Sequence, residues 1–307
     1  MLPQLFQHAW MDESIEAFRN QVRRYIAGEL SPHLESWRRQ GFIPREVWQP
    51  FGELGFLLPE MPEAYGGAGA NLAYQLVVQD ELARAEVPAN TAVHTIAAHY
   101  ILDYGTEEQK QRWLPRLVSG ELVGAIAMTE PGAGSDLQGI KTTAVKSGNG
   151  YILNGSKTFI TNGQNADVIV TACVTDPGKG AKGVSMLVIE EGMAGFSRGR
   201  NLHKIGQHAQ DTAELFFDNV HVPDENLLGG ADYYEKAAGF KGAMDTFNSG
   251  RPAVGAMAVG MGRAALDEAL RLARASGAIA LPRVADRLER MQRRLKSALL
   301  VALHALQ

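Results

Sequence analysis

Cysteine is almost missing from this chain: Cys173 is the single one in 307 residues. That excludes an intrachain disulfide and any cysteine-rich metal site, and it suits a reducing compartment. Long apolar runs are missing too, since no stretch reaches the ~18 uninterrupted apolar residues of a membrane span. The opening Met1-Leu2-Pro3-Gln4 has no basic segment ahead of an apolar core and does not read as a signal peptide. Nor is there an excess of positive charge. The formal net charge is −4, which argues against a general nucleic-acid surface. The histidines lack metal-ligand spacing: His94 and His99 are five apart, as are His203 and His208. Repeats and low-complexity tracts are absent. With 45% apolar and 21% charged residues, the composition is that of a soluble globular protein, expected in the cytoplasm and without a metal.

What is present falls into three stretches. Up to about residue 120 the apolar residues keep helical spacing. Ile15, Phe18, Val22, Ile26 and Leu30 form one stripe, and Pro44 followed by Val47, Phe51 and Leu54 predicts a short second helix closed by Gly55. A loop rich in proline and glycine covers 59–69. Leu72, Leu76, Val77 and Leu82 mark a third helix, and Val93, Ile96, Ala97, Tyr100 and Ile101 a fourth. Thr106-Glu107-Glu108-Gln109 has capping-box spacing and opens a fifth.

After Gly120 the period becomes two. Strands are expected at 122–128, 168–174, 184–189 and 213–222, with hairpin turns signalled by Asn149-Gly150 and Asn154-Gly155. From about 231 the spacing is helical again. Val254, Met257, Met261 and Ala264 make one stripe; Val284, Leu288, Met291, Leu295, Leu299 and Leu306 make another. Arg283, Arg287, Arg290, Arg293 and Arg294 read as a solvated or interfacial face. The expectation is an α+β chain with a helical domain over 1–120, an antiparallel β domain over 121–230 and C-terminal helices over 231–307.

The densest chemistry lies in Ala127-Met128-Thr129-Glu130-Pro131-Gly132-Ala133-Gly134-Ser135-Asp136-Leu137-Gln138-Gly139. A strand pattern runs straight into a turn whose glycines let backbone N–H groups approach a ligand. Thr129 and Ser135 add hydroxyls, while Glu130 and Asp136 can fix the turn through hydrogen bonds to its backbone. Alone, this could be any glycine-rich loop after a strand. A second stretch follows, Asn154-Gly155-Ser156-Lys157-Thr158-Phe159-Ile160-Thr161-Asn162-Gly163, with an aromatic between hydroxyls.

Together the two stretches resemble the acyl-CoA dehydrogenase family, which carries T-E-P-G-A-G-S-D-x-x-G and then N-G-x-K-x-[WF]-I-T-N-G at this separation. The resemblance runs from roughly 11 to 251. It takes in Pro59-Glu60-Met61-Pro62-Glu63-Ala64-Tyr65-Gly66-Gly67, Lys204-Ile205-Gly206-Gln207-His208-Ala209-Gln210-Asp211-Thr212, Val222-Pro223 and Asn226-Leu227-Leu228-Gly229. It implies a helix–sheet–helix fold, FAD as cofactor, an acyl-CoA substrate dehydrogenated to the trans-2-enoyl-CoA, electron-transfer flavoprotein as acceptor, and a homo- or hetero-oligomer. Carried over by position, Ile126, Met128, Thr129, Gly134 and Ser135 would line the flavin and its phosphates. Phe159, Ile160 and Thr161 would pack on and bond to its ring. Ser135, Asn248 and Arg251 would contact CoA. Phe159 as a core aromatic, and Arg251 as half of a structural ion pair, are the plain alternatives.

The pattern departs from the family at the general base. One family position for it, just before the equivalent of Arg251, holds Gly250; the other would lie beyond Gln307. Glu268 and Glu289 match neither position, so no catalytic residue is assigned. Ala275-Ser276-Gly277-Ala278-Ile279-Ala280 stands where the family has an arginine-x-x-Phe-Gly loop, and a later G-G-x-G stretch is missing. The C-terminal bundle is therefore expected to be truncated, with an apolar stripe that needs another chain. A non-catalytic acyl-CoA-binding, flavin-binding or scaffold protein, and a flavin oxidase or monooxygenase, remain as alternatives. Acyl length stays open: 204–212 looks like long-chain enzymes, 240–270 like medium-chain ones. The acyl pocket is expected along the helix near Val93 to Tyr100.

Overall fold

The structure, a computed structural model, describes residues 12–88, 91–231 and 239–304. Its helices are α1 (Glu13–Tyr25), α2 (Leu34–Gln40), α3 (Trp48–Glu53), α4 (Leu72–Arg84), α5 (Thr91–Tyr104), α6 (Glu107–Val118), α7 (Gly239–Ala275) and α8 (Pro282–His304). The strands are β1 (Gly124–Ala127), β2 (Thr143–Ser147), β3 (Gly150–Thr161), β4 (Val168–Val174), β5 (Val184–Glu190), β6 (Phe196–Asn201) and β7 (Thr212–Pro223). The chain divides into two compact units, one from Met1–Glu35, Ala70–Ala89 and Ser249–Gln307, the other from Ser36–Gly69 and Asn90–Asn248.

The first unit is helical. Asp12 caps α1 by accepting the Ile15 N–H at 2.9 Å, and of the expected stripe Ile15, Val22, Ile26 and Leu30 are buried while Phe18 is half-buried. The helix widens into a π-turn over Ile26–Leu30. Charges are buried among these helices: Asp80 and Glu81 on α4 lie against Arg263 and Arg23, the latter at 2.7 Å. α7 approaches α4 closely at Gly260, where a Cβ would sit 2.5 Å from the Asp80 carbonyl oxygen. Leu266, Leu270 and Ala273 of α7 form a seam with Leu288 of α8. The stripe expected on α7 is corrected here. Val254 and Met261 are 57% and 48% exposed, and the buried face runs instead through Ala256, Val259, Arg263, Leu266 and Leu270. On α8, Leu288 and Leu299 are buried but Met291 is exposed, and Leu306 lies outside the described residues.

The second unit is a curled sheet with α5 and α6 against it. Its order is β1-β4-β2-β3-β7-β6, with β5 also on β4. β5 on β4, and β2, β7 and β6 along β3 and β7, pair antiparallel; β1 runs parallel to β4, with Ile126 opposite Val170. Leu153, Ile169, Leu187, Ile189, Leu215, Val220 and Val222 fill its core, each contributing roughly 1.5–3 kcal/mol on full burial. On the other side, α5 meets β1: the Gly124 N–H donates to His94 Nδ1 at 3.0 Å, and His94 Nε2–H donates to the Leu117 carbonyl at 3.0 Å. The capping box at Thr106 forms as expected, and Gln109 Nε2 also donates to the carbonyls of Glu225 and Leu227 at 2.7 and 2.8 Å.

Two turn expectations are corrected. Ser147 pairs with Gly150, so the β2–β3 turn is Gly148-Asn149, one residue earlier than expected. Asn154-Gly155 is no turn; it is a bulge inside β3. Gly155 has φ +147°, and a Cβ there would lie 2.5 Å from Thr142 Oγ1, so glycine is required by both conformation and space.

Candidate functional site

β1 ends at Ala127 and the chain turns at once. Glu130 and Ala133 exchange backbone hydrogen bonds at 2.8 and 3.1 Å, closing the turn. The Glu130 side chain points inward and accepts from the Lys141 N–H at 2.6 Å, the Thr142 N–H at 3.0 Å and Lys157 Nζ at 2.8 Å. Lys157, fully buried, also donates to the Met128 carbonyl at 3.1 Å. The Thr158 N–H donates to the Thr129 carbonyl at 2.9 Å. One ion pair, the lysine's bond to the Met128 carbonyl and one backbone bond therefore fasten the two motif stretches to each other. Burial alone would raise the Glu130 pKa, but the bonds from Lys157, Thr142 and Lys141 outweigh it and hold the carboxyl below its usual value. Burial pulls the Lys157 ammonium down, with Glu130 opposing.

Joined at their bases, the turns are open at their tips. Gly132 and Gly134 have empty space where a Cβ would point, and Ser135 is exposed. Phe159 lies between the Lys157 and Ile160 registers of β3, with φ +58° and 68% of its surface exposed. A left-handed conformation at a bulky aromatic costs about 1–2 kcal/mol, and such strain gathers at functional positions. It turns the ring out of the sheet, so Phe159 is not a core aromatic. Asn162, also at positive φ, donates from Nδ2 to the Gly124 carbonyl at 3.0 Å and ties the end of β3 to β1. Thr161 Oγ1 accepts from Gln210 Nε2 at 3.1 Å, which leaves the hydroxyl proton available to a ligand.

The expected site residues are thus partly gathered. Met128, Thr129, Phe159 and Thr161 come together at the paired turns, with Ile126 half-buried on β1 and Gly134 and Ser135 at the open tip. Ile160 is 3% exposed and its side chain belongs to the sheet core, not to the open side. Arg251 is exposed on α7 and belongs to the other unit; the Asn248 side chain lies outside the described residues. Lys157, Asn162 and Gln210 were not singled out from sequence. A lone lysine inside a strand, downstream of a glutamate in a glycine turn, was the available signal for the first.

Other titratable groups are committed elsewhere. Glu268 pairs with Arg271 at 2.6 Å and Glu289 with Arg293 at 3.5 Å, all four exposed, as solvated helix glutamates should be. His94, depressed by burial to about 4, is neutral with both ring nitrogens bonded and no exposed surface, and burial pushes the Cys173 thiol up to about 12, so neither offers a base or nucleophile to a ligand.

Three family descriptions match consecutive parts of the chain: the acyl-CoA dehydrogenase N-terminal domain over residues 12–121, the middle domain over 125–220 and the C-terminal domain over 237–307. The solved acyl-CoA dehydrogenase of Geobacillus kaustophilus superposes with a TM-score of 0.88 at 40% identity, over 97% of this chain and 81% of that one.

The chain belongs to the acyl-CoA dehydrogenase family.

Within that family, the mouse mitochondrial long-chain specific acyl-CoA dehydrogenase is 44% identical over 218 residues, covering 70% of this chain. The chain spans about half, 51%, of that relative's length. A glutaryl-CoA dehydrogenase of Mycobacterium smegmatis, solved in complex with FADH2, superposes with a TM-score of 0.87 at 28% identity, over 96% of this chain and 75% of that one. Both fastened turns of this acyl-CoA dehydrogenase family member fall inside the matched middle domain. Among the described residues no helix is long and apolar enough to cross a membrane.

Proposed function

We propose that this chain holds FAD at the paired turns and takes part in α,β-dehydrogenation of an acyl-CoA thioester to the trans-2-enoyl-CoA. The observation that carries the reading is the strained, outward Phe159 ring beside two turns locked by Glu130 and Lys157. A planar ligand fits such a surface, since the aromatic supplies a flat wall and Thr161 an oriented hydroxyl. Ile126, Met128, Thr129, Gly134 and Ser135 would hold the cofactor from the first turn; Phe159, Thr161 and the backbone at Ile160 would hold it from the second. Bound FAD supplies the hydride acceptor. This chain's own part is to orient the thioester, through Ser135, Asn248 and Arg251, and to keep water from the reacting carbons.

The α-proton needs an acceptor, and Gly250 has none to offer. The reading therefore includes an oligomer in which another chain, or a segment outside this sequence, brings the base, with electron-transfer flavoprotein as acceptor. It also keeps the functional division at 1–120, 121–230 and 231–307. Gly250 favours a second reading, a non-catalytic acyl-CoA-binding or scaffold member. Purification with and without the product of its genomic neighbour, followed by spectroscopy, separates them. Bound flavin that bleaches anaerobically on addition of acyl-CoA supports the dehydrogenase. Flavin-free protein that never bleaches overturns it, and tight acyl-CoA binding without bleaching leaves the second.

A further inference from the structure

A cleft of about 250 Å3 opens between the end of α2 and the segment after β6, and none of its lining residues belongs to the paired turns. Its lining includes Arg38, Arg39, His203, Lys204 and His208, and it contains no carboxylate. In a chain whose net charge is −4, five basic side chains around one small cleft form a local inversion of sign.

The cleft is built rather than incidental. Asn201 Nδ2 donates to the Gly41 carbonyl at 2.7 Å, and Asn201 Oδ1 accepts the Thr212 N–H at 2.9 Å, so one side chain stitches the two walls. Gly41 is at φ +88°, and a Cβ there would sit 2.8 Å from Asn201 Nδ2; the approach needs glycine. Lys204 is anchored by its bond to the Gln210 carbonyl, and His208 Nε2 by the Ile205 carbonyl at 3.1 Å. Asp211 is fully buried and accepts the Gln164 N–H at 2.8 Å and Asn165 Nδ2 at 3.4 Å; its charge reaches Lys204, but it does not line the cleft.

We propose that this cleft binds a phosphate-bearing anion, held by Arg39, Lys204 and His203. Guanidinium and ammonium groups are the donors that phosphate oxygens select, and a planar arginine fork adds bidentate geometry. Size sets a limit: drug-sized ligands take about 300–1,000 Å3, so this cleft takes a phosphate or pyrophosphate and only a little beyond it. It is a site for the charged end of a ligand, separate from the surface assigned above to FAD.

Isothermal titration of the whole chain with inorganic phosphate, pyrophosphate, ADP and glutarate, at about 0.15 M salt to screen diffuse attraction, tests this. Saturable 1:1 binding of pyrophosphate is expected. Arg39→Ala and His203→Ala, both at exposed positions, should each weaken it about tenfold, the loss of one charged hydrogen bond, with melting curve and flavin content unchanged. ADP binding more tightly than pyrophosphate would identify a nucleotide as the source of the phosphate, and the reverse a free anion. Absence of saturable binding, equal binding of glutarate, or affinities untouched by both substitutions would overturn the proposal. So would flavin loss in Arg39→Ala, because the cleft would then not be a separate site.

Discussion

The lock between the two turns makes the sharpest prediction. Lys157 has no exposed surface, and besides Glu130 its ammonium has the Met128 carbonyl at 3.1 Å. Glu130→Gln would leave that charge buried beside two neutral acceptors, at about 3–5 kcal/mol. Lys157→Met fills a similar volume and leaves Glu130 two backbone donors, at 2.6 and 3.0 Å. Its cost should be lower, about 2–3 kcal/mol, near that of one charge-assisted hydrogen bond. The double variant buries no unpaired charge and should recover 1.5 kcal/mol or more, by rough analogy with other buried pairs. Urea unfolding followed by circular dichroism gives all three values, and bound flavin should fall in both single variants. The Glu130 carboxyl sits below its ordinary 4.5, so its stabilisation is present above that value and is lost as pH falls through the lowered one. Single variants each costing under about 1 kcal/mol, or strictly additive costs in the double, would refute the lock.

Three further outcomes are expected. Phe159→Gly relieves the positive φ at an exposed position, so stability should hold or rise by about 1 kcal/mol while flavin retention drops; marked destabilisation in urea would contradict this. His94 is depressed from 6.5 to about 4, so its contribution is full above pH 6.5 and roughly 3 kcal/mol should be lost as pH falls toward 4. Urea midpoints against pH should flatten in His94→Gln, and an unchanged slope would count against the buried neutral imidazole. Gln210→Ala frees the Thr161 hydroxyl and should move the potential of bound flavin by about 20 mV, the equivalent of one hydrogen bond; an unchanged redox titration would show that Gln210 positions nothing.

Elements written in local spacing were legible. Most of the α1 stripe, the Thr106–Gln109 box and the strand at 168–174 stand where apolar period and capping chemistry put them, and the strand expected at 184–189 runs one residue further, to Glu190. α2 was not seen, because Ser31-Pro32 reads as a break and only Leu34 and Trp37 carry its apolar face. Asn154-Gly155 misled because the same glycine that suits a turn also suits a bulge, and only the distant Thr142 decides between them. The α7 face failed for a similar reason. Its buried side is set by α4 and α8 and includes Arg263, which no hydrophobic stripe reveals. At the site, the motif residues were legible through the family resemblance, while Lys157 and Gln210 act through partners 27 and 49 residues away.

The helical unit draws on three separated pieces of chain, and this sets a schedule for its birth. At a synthesis rate of about 5–20 residues per second, the 164 positions between Arg84 and Ser249 take roughly ten to thirty seconds to emerge. For that interval Asp80 waits for Arg263 while Glu81 can already pair with Arg23, so the α1–α4 pair stands half-clad as the sheet closes around β4. A nascent chain stalled in this window would show a protease-resistant middle and a digestible beginning.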